Sequence, residues 1–240
     1  MKSLVLACLP ALLAAPALAD WDHPIKWDQL DPGSDWGAAS FVCYDTPNNA
    51  ITADDFFCDG TLPIVTDIEF YGWSYYGEDN YIDAFRISFW TDVPATPEDE
   101  SHPGDLLYEA EVGYQYLGEN HFQINLPEEL WFHQGADEQI LWVSIQGVMT
   151  TDDIPDAFYW EMLEPGYSWG DDAAFTSDYW EYPPWYNWGW MTPDPPAALY
   201  DGPFPDGWYA SADMRFRLNG IPEPASVSLL GLGLVLLRRR

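Results

Sequence analysis

The chain has 240 residues, 48% of them hydrophobic and 17% aromatic, and carries 40 acidic against 8 basic residues for a formal net charge of −32. So negative a field excludes nucleic acid and anionic membrane surfaces as partners and attracts cations. The apolar and aromatic content argues against a disordered polyanion, and about two hundred residues suffice for one domain with a sizeable core.

The first nineteen residues read as a secretory signal peptide. Lys2 supplies a positive start, residues 4–13 an apolar run, and Ala17-Leu18-Ala19 a cleavage site with Ala17 and Ala19 at the small positions. The run is shorter than the roughly twenty apolar residues a bilayer span needs, so cutting by signal peptidase is expected, with Asp20 opening the mature chain. Cys8 leaves with that segment, while the body keeps Cys43 and Cys58. Export to an oxidising compartment predicts a disulfide between them, a closure that stabilises by about 3 kcal/mol in the chain-entropy model. A metal-binding pair is the alternative, but no histidine is near either cysteine in sequence.

Short alternating apolar runs separated by turn clusters fill the body, with almost no helical period. Residues 63–73 place Ile64, Ile68 and Phe70 on one face, and Phe85, Ile87 and Phe89 alternate with Arg86, Ser88 and Trp90. Further runs follow at 106–112, 121–126, 139–148, 157–163 and 209–218. In the last of these Met214, Phe216 and Leu218 oppose Arg215 and Arg217. Many short strands without crossover helices predict an all-β fold, an antiparallel β-sandwich of jelly-roll type over residues 20–220.

Candidate chemistry in the body is sparse. Asp54-Asp55, Asp152-Asp153 and Asp171-Asp172 offer hard oxygen ligands in expected loops without EF-hand spacing; a structural calcium is the cofactor they suit, with Asp54 and Asp55 the candidates. Four dispersed histidines argue against zinc. The stretch 164–207, rich in Pro, Trp, Tyr and Asp, lacks strand pattern, and unpatterned stretches of that length are usually functional or poorly ordered. Within it Gly166-Tyr167-Ser168-Trp169-Gly170 matches the nucleophile elbow of serine hydrolases. That motif needs a preceding strand and a later histidine, whereas Pro165 precedes it and His23, His102, His121 and His133 all come earlier. The hydrolase reading fails on context. Beyond Pro183-Pro184, Trp185, Trp188 and Trp190 form either a sugar-stacking platform or, the commoner arrangement for such residues, an apolar lid over one end of the sandwich.

The last twenty residues, 221–240, have three parts: Pro222-Glu223-Pro224, an apolar stretch over 225–237, and Arg238-Arg239-Arg240. As a helix the apolar part would reach only about 20 Å, against a hydrocarbon core of about 30 Å. The arginines belong on the cytoplasmic side, which leaves the prolines and the body outside. A polar recognition element, a weak apolar helix and a charged stop is the logic of tails removed after use. The segment resembles a PEP-CTERM sorting signal, the tag of exosortase substrates in exopolysaccharide-producing Gram-negative bacteria. The resemblance implies that an exosortase-type membrane protease recognises Pro222, Glu223 and Pro224 and cuts near them. The body resembles the secreted β-rich domains found upstream of such tails, many in planctomycete-like bacteria. Lys26-Trp27-Asp28-Gln29, Ala53-Asp54-Asp55-Phe56, residues 68–73 and Trp169-Gly170-Asp171-Asp172-Ala173 carry that likeness. It implies an architecture and an address, with no assigned activity.

Two classes of function fit. One is a non-catalytic cell-surface or matrix protein that associates with exopolysaccharide, with calcium bridging its acidic surface to acidic polymer. The other is a secreted carbohydrate-active enzyme with two carboxylates in an aromatic-lined cleft, where a pair about 5 to 9 Å apart would decide.

Overall fold

The computed structural model describes residues 24–43, 49–74, 82–96, 101–134, 137–149, 157–164, 167, 173–178, 185–187 and 213–221. In chain order the strands are β1 (Ile25–Gln29), β2 (Gly33–Ala39), β3 (Phe41–Cys43), β4 (Asn49–Cys58), β5 (Ile64–Ser74), β6 (Ile82–Val93), β7 (His102–Val112) and β8 (Gln115–Gly118). They continue with β9 (His121–Asn125), β10 (Phe132–His133), β11 (Gln139–Met149), β12 (Phe158–Leu163), β13 (Ala174–Ser177), β14 (Tyr186–Asn187) and β15 (Phe216–Ile221). The helical element among the described residues is one 3-10 turn at Glu128–Leu130. The all-β expectation holds.

Two sheets carry these strands. The first runs β1-β15-β5-β12-β2, with β9 and β10 also on β5 and β8 on β9; the second runs β14-β13-β4-β3-β11-β6-β7. Strand β5 is the spine of the first sheet, bonding β15 and then β12 along one edge and β10 and then β9 along the other. In the second sheet β11 holds the centre, antiparallel to β6 over its whole length. The sheets meet through aromatic side chains of their inner faces. Phe85 of the second sheet packs edge-on against Phe70 and Phe158 of the first, at 4.8 and 5.0 Å between centroids, and Phe89 stacks on Phe132 at 4.1 Å. That interdigitation defines a β-sandwich. Gly147 on β11 keeps the approach close, since a Cβ there would lie 2.5 Å from Cβ of Phe158.

The alternation read from the sequence holds in β6 and β15. Phe85, Ile87 and Phe89 are fully buried, as are Met214, Phe216 and Leu218, while Arg215 and Arg217 are half-buried on the opposite face. In β5 the pattern is interrupted. Asn219 pairs with Asp67 but the next residue, Gly220, pairs with Val65, so Thr66 is an extra residue on β5. Such a bulge shifts the faces by one position. Val65 therefore joins Ile68 and Phe70 in the main core, in place of the expected Ile64.

Antiparallel pairing is expected throughout, and the structure departs from it once among the described strands, where β3 runs parallel to β11. Ser40 explains how. Its N–H donates to Phe158 O on β12 of the first sheet, its O accepts from Gly147 N on β11 of the second, and its Oγ donates to Ile145 O at 2.6 Å. The chain thus changes sheets at one fully buried serine. Beyond it β3 wedges between β4 and β11, where Gln146 Nε2 donates to Phe41 O, Asn49 Oδ1 and Ala50 O.

The expected disulfide is corrected. Cys43 ends β3 opposite Met149, and Cys58 ends β4 opposite Gln139, ten positions away along β11. At about 3.3 Å per residue that is roughly 33 Å, whereas a disulfide needs Cα atoms within about 7 Å. Both are buried thiols, and Lys26 Nζ donates to Cys58 Sγ at 3.6 Å. Unfolding in denaturant without reductant should make both cysteines react with a maleimide, and intact mass reads the two adducts. Gly147→Ala should cost about 1–3 kcal/mol by forcing the sheets apart, seen as a lower urea midpoint.

Candidate functional site

Two places in the sandwich concentrate polar chemistry. The first lies inside. Asp54 and Asp55, expected in a loop, stand instead in β4 with no exposed surface, because β4 is central to the second sheet and covered on both faces. Asp54 Oδ2 accepts the Met214 N–H at 2.8 Å and Gln29 Nε2 at 3.2 Å, and its Oδ1 accepts the Asp55 N–H at 3.1 Å. Burial pushes the Asp54 carboxyl well above its ordinary range, and the neighbouring Asp213 and Asp55 add to the effect against the two main-chain N–H bonds. Asp54 is thus a buried tie between the sheets. Among the described residues no group of three or more His, Cys, Asp or Glu is arranged to hold a metal ion.

The second place is the outer face of the first sheet. Here β5 presents Glu69, Tyr71 and Trp73, all half-buried, while Phe70 and Gly72 face the core. Tyr71 is filled on both ring faces. The Arg215 guanidinium lies 3.3 Å from its centroid, and the His121 ring stacks at 4.3 Å and 6°. Burial pushes the Tyr71 hydroxyl up, against the pull of Arg215, so it stays protonated. Arg215 is itself held by Glu161 at 2.8 Å, Asp31 at 2.9 Å and the Leu30 carbonyl. Beside it Arg217 pairs with Asp28 at 3.0 Å and Glu69 at 3.8 Å. The His121 imidazole, with Nε2 3.3 Å from Oε2, lowers the Glu69 carboxyl, with Arg217 adding to it, so Glu69 is an anion. This row is an electrostatic ladder across five strands.

Next to the ladder lies a pair of half-buried aromatic rings. Trp73 and its partner Tyr159 on β12 are nearly parallel, 18° apart with centroids separated by 6.4 Å. The Trp73 indole reaches past β12 to β2, where a Cβ on Gly37 would meet its Cη2 at 2.8 Å. Two strand spacings are about 10 Å, so the ring must lie along the sheet rather than stand on it. Gly33 does the same for Arg215, whose Nη1 would be 2.5 Å from an added Cβ. Two glycines of β2 therefore make room for two long side chains laid across the sheet.

The other residues singled out from the sequence fall apart. Trp185, at a φ of +55°, is half-buried and meets Trp90 edge-to-face at 5.4 Å, in a cluster with Ala53, Trp142 and Ala174. It covers the outer face of the second sheet rather than an end of the sandwich. Trp188, Trp190, Ser168, Asp152, Asp153, Asp171 and Asp172 lie outside the described residues, as do Ala17, Ala19, Pro222, Glu223, Pro224 and Arg238 to Arg240. A groove of about 320 Å³ is lined by Thr91, Asp92, Gln139, Ile140 and Leu141. Asp92 is the one carboxylate of that lining, and its Oδ1 accepts Trp142 Nε1 at 2.9 Å. Sequence reading missed Trp73 and Tyr159 as a pair, because nothing local says that 86 residues apart they share a ladder rung.

The Asp54 tie has a pH signature. Its pKa is raised on folding, so its contribution is complete below the unfolded value and is lost as pH rises through the folded one. Asp54→Asn, which mimics the neutral form, should gain stability relative to wild type as pH rises above the unfolded carboxyl range of about 4. Asp54→Ala should lose about 1–3 kcal/mol by stranding the Met214 N–H. Urea titrations at several pH values measure both.

A family model described as a domain of unknown function, DUF7901, matches residues 25–219. No curated protein and no solved structure matches.

Proposed function

We propose, from the premise that the chain belongs to the DUF7901 family, that it is an exported, non-catalytic cell-surface or matrix protein, sorted through its C-terminal tail and associated with exopolysaccharide. The observation that carries this reading is where the described strands lie. Every described strand lies between Ile25 and Ile221, so a cut after Ala19 and a cut near Pro222-Glu223-Pro224 both leave the strand pairings whole. β15 ends at Ile221, paired with Ile64, immediately before the proline pair. The tail's apolar stretch is too short for a secure span, and a membrane-embedded protease of the exosortase type would release the body to the surface.

The sandwich is of jelly-roll type in this reading, supported by a chain that passes repeatedly between sheets, at Ser40 and again between β4 and β5 and between β5 and β6. The non-catalytic reading is preferred over a glycosidase because the described groove lining supplies one carboxylate, already bonded to an indole, where glycoside hydrolysis takes two. Calcium remains a proposal for the acidic surface as a whole; at Asp54 it would have to displace the main-chain N–H groups and Gln29 that bond the carboxyl.

The test is the fate of the two ends. In the producing cell the wild-type chain should start at Asp20, end near Pro224 and leave the inner membrane. The double variant Pro222→Ala, Pro224→Ala should keep Arg240 and stay there. Intact mass and fractionation read both, and a wild-type product that retains Arg240 in the inner membrane overturns the sorting claim.

A further inference from the structure

We propose that the outer face of the first sheet, where Trp73 and Tyr159 lie beside Gly33 and Gly37, is a binding trough for an uncharged polysaccharide chain. The inference rests on the exopolysaccharide reading above and names both the surface and the class of polymer. Three observations carry it. Trp73 and Tyr159 are half-buried, nearly parallel rings on adjacent strands, and flat aromatic faces suit the C–H faces of a pyranose. At Gly37 and Gly33 no β-carbon stands against the indole or against Arg215, so both long side chains can lie across β2. The polar rim is already built, with Glu161 and Asp31 held by Arg215 and with the protonated Tyr71 hydroxyl beside them.

Charge selects the polymer. Arg215 and Arg217, the two guanidinium groups of this face, are each shared between two carboxylates, so neither is left for an acidic sugar. The chain as a whole, at −32, repels polyuronates. A neutral glycan meets no such barrier and finds carboxylates as acceptors for its hydroxyl groups. The ladder of Arg215, Tyr71 and His121 then serves as a rigid wall, because both faces of Tyr71 are occupied. Rigid walls bind with little ordering cost.

The test is titration of the full chain, carrying both ends, against a soluble neutral β-glucan and against polygalacturonate, followed by calorimetry and affinity electrophoresis. The neutral polymer should bind and the acidic one should not. Trp73→Ala should weaken binding by about tenfold or more, Tyr159→Ala should weaken it less, and Trp185→Ala, on the other sheet, should leave it unchanged. Trp73→Tyr, which keeps an aromatic ring at that place, should retain most of the binding, so a loss in Trp73→Ala reads the missing ring rather than a failure to fold. Binding that survives Trp73→Ala overturns the proposal, as does equal loss in Trp73→Tyr, tighter binding to polygalacturonate or no binding to the neutral polymer. Sorting is read separately by the fate of the ends. A chain that is released but ignores glycan loses only the trough, and a chain held in the membrane that binds glycan loses only the sorting.

Discussion

The buried carboxyl of Asp54 is the contact on which the alignment of the two sheets depends. It belongs to β4 of the second sheet, yet two of its partners, the Met214 N–H and Gln29, belong to the first. Apolar burial between sheets is strong but unspecific in direction, since one aromatic pair can slide to another at modest cost. A directional hydrogen bond in a dry interior is different, because breaking it leaves a stranded donor. Asp54 therefore fixes how β1 and the lead-in to β15 sit over β4, and β15 in turn carries Arg215 and Arg217. The geometry of the outer ladder starts at a group with no exposed surface.

A chain of this charge also has to place its few cations well. Arg215 and Arg217 lie between acids drawn from β1, the turn after it, β5 and β12, and Arg86 bridges Glu111 on β7. Each guanidinium thus discharges one or two carboxylates where strands pair. Exposed pairs of this kind contribute little one at a time, but Arg215 and Glu161 are only 13% and 10% exposed. Removing either would leave a charge in a poorly solvated place. The ladder decides the surface chemistry of that face, because it uses up the positive charge that an acidic ligand would need.

Strand existence was legible wherever period two was clean, as in β6 and β15, because one face of each meets the core. The less legible strands have physical reasons. β4 is buried on both faces and shows no alternation; β3, β10 and β14 are two or three residues long. The Asp54-Asp55 pair reads as loop from its charge, and only the third dimension reveals the N–H groups that make a buried acid tolerable. Cysteine arithmetic misled for a similar reason. A single pair has one connectivity on paper, and the β4 strand between its members holds them apart. Trp73 carries no local mark, since fourteen tryptophans make one of them unremarked.

The glycines of β2 show why packing alone does not account for the outer face. A glycine inside a strand costs about 0.5–1 kcal/mol relative to alanine through lost chain entropy, and β2 has one under Trp73 and one under Arg215. Alanine cannot stand at position 37 whatever Trp73 does, since its Cβ would lie 2.8 Å from the Trp160 carbonyl oxygen as well as 2.8 Å from the indole. Laying the indole across the sheet recovers stability by bringing its Cζ2–Cη2 edge onto Gly37, at about 25 cal/mol per Å² of apolar area. Glycine at position 37 thus serves the pairing of β2 with β12 and the cross-sheet indole together.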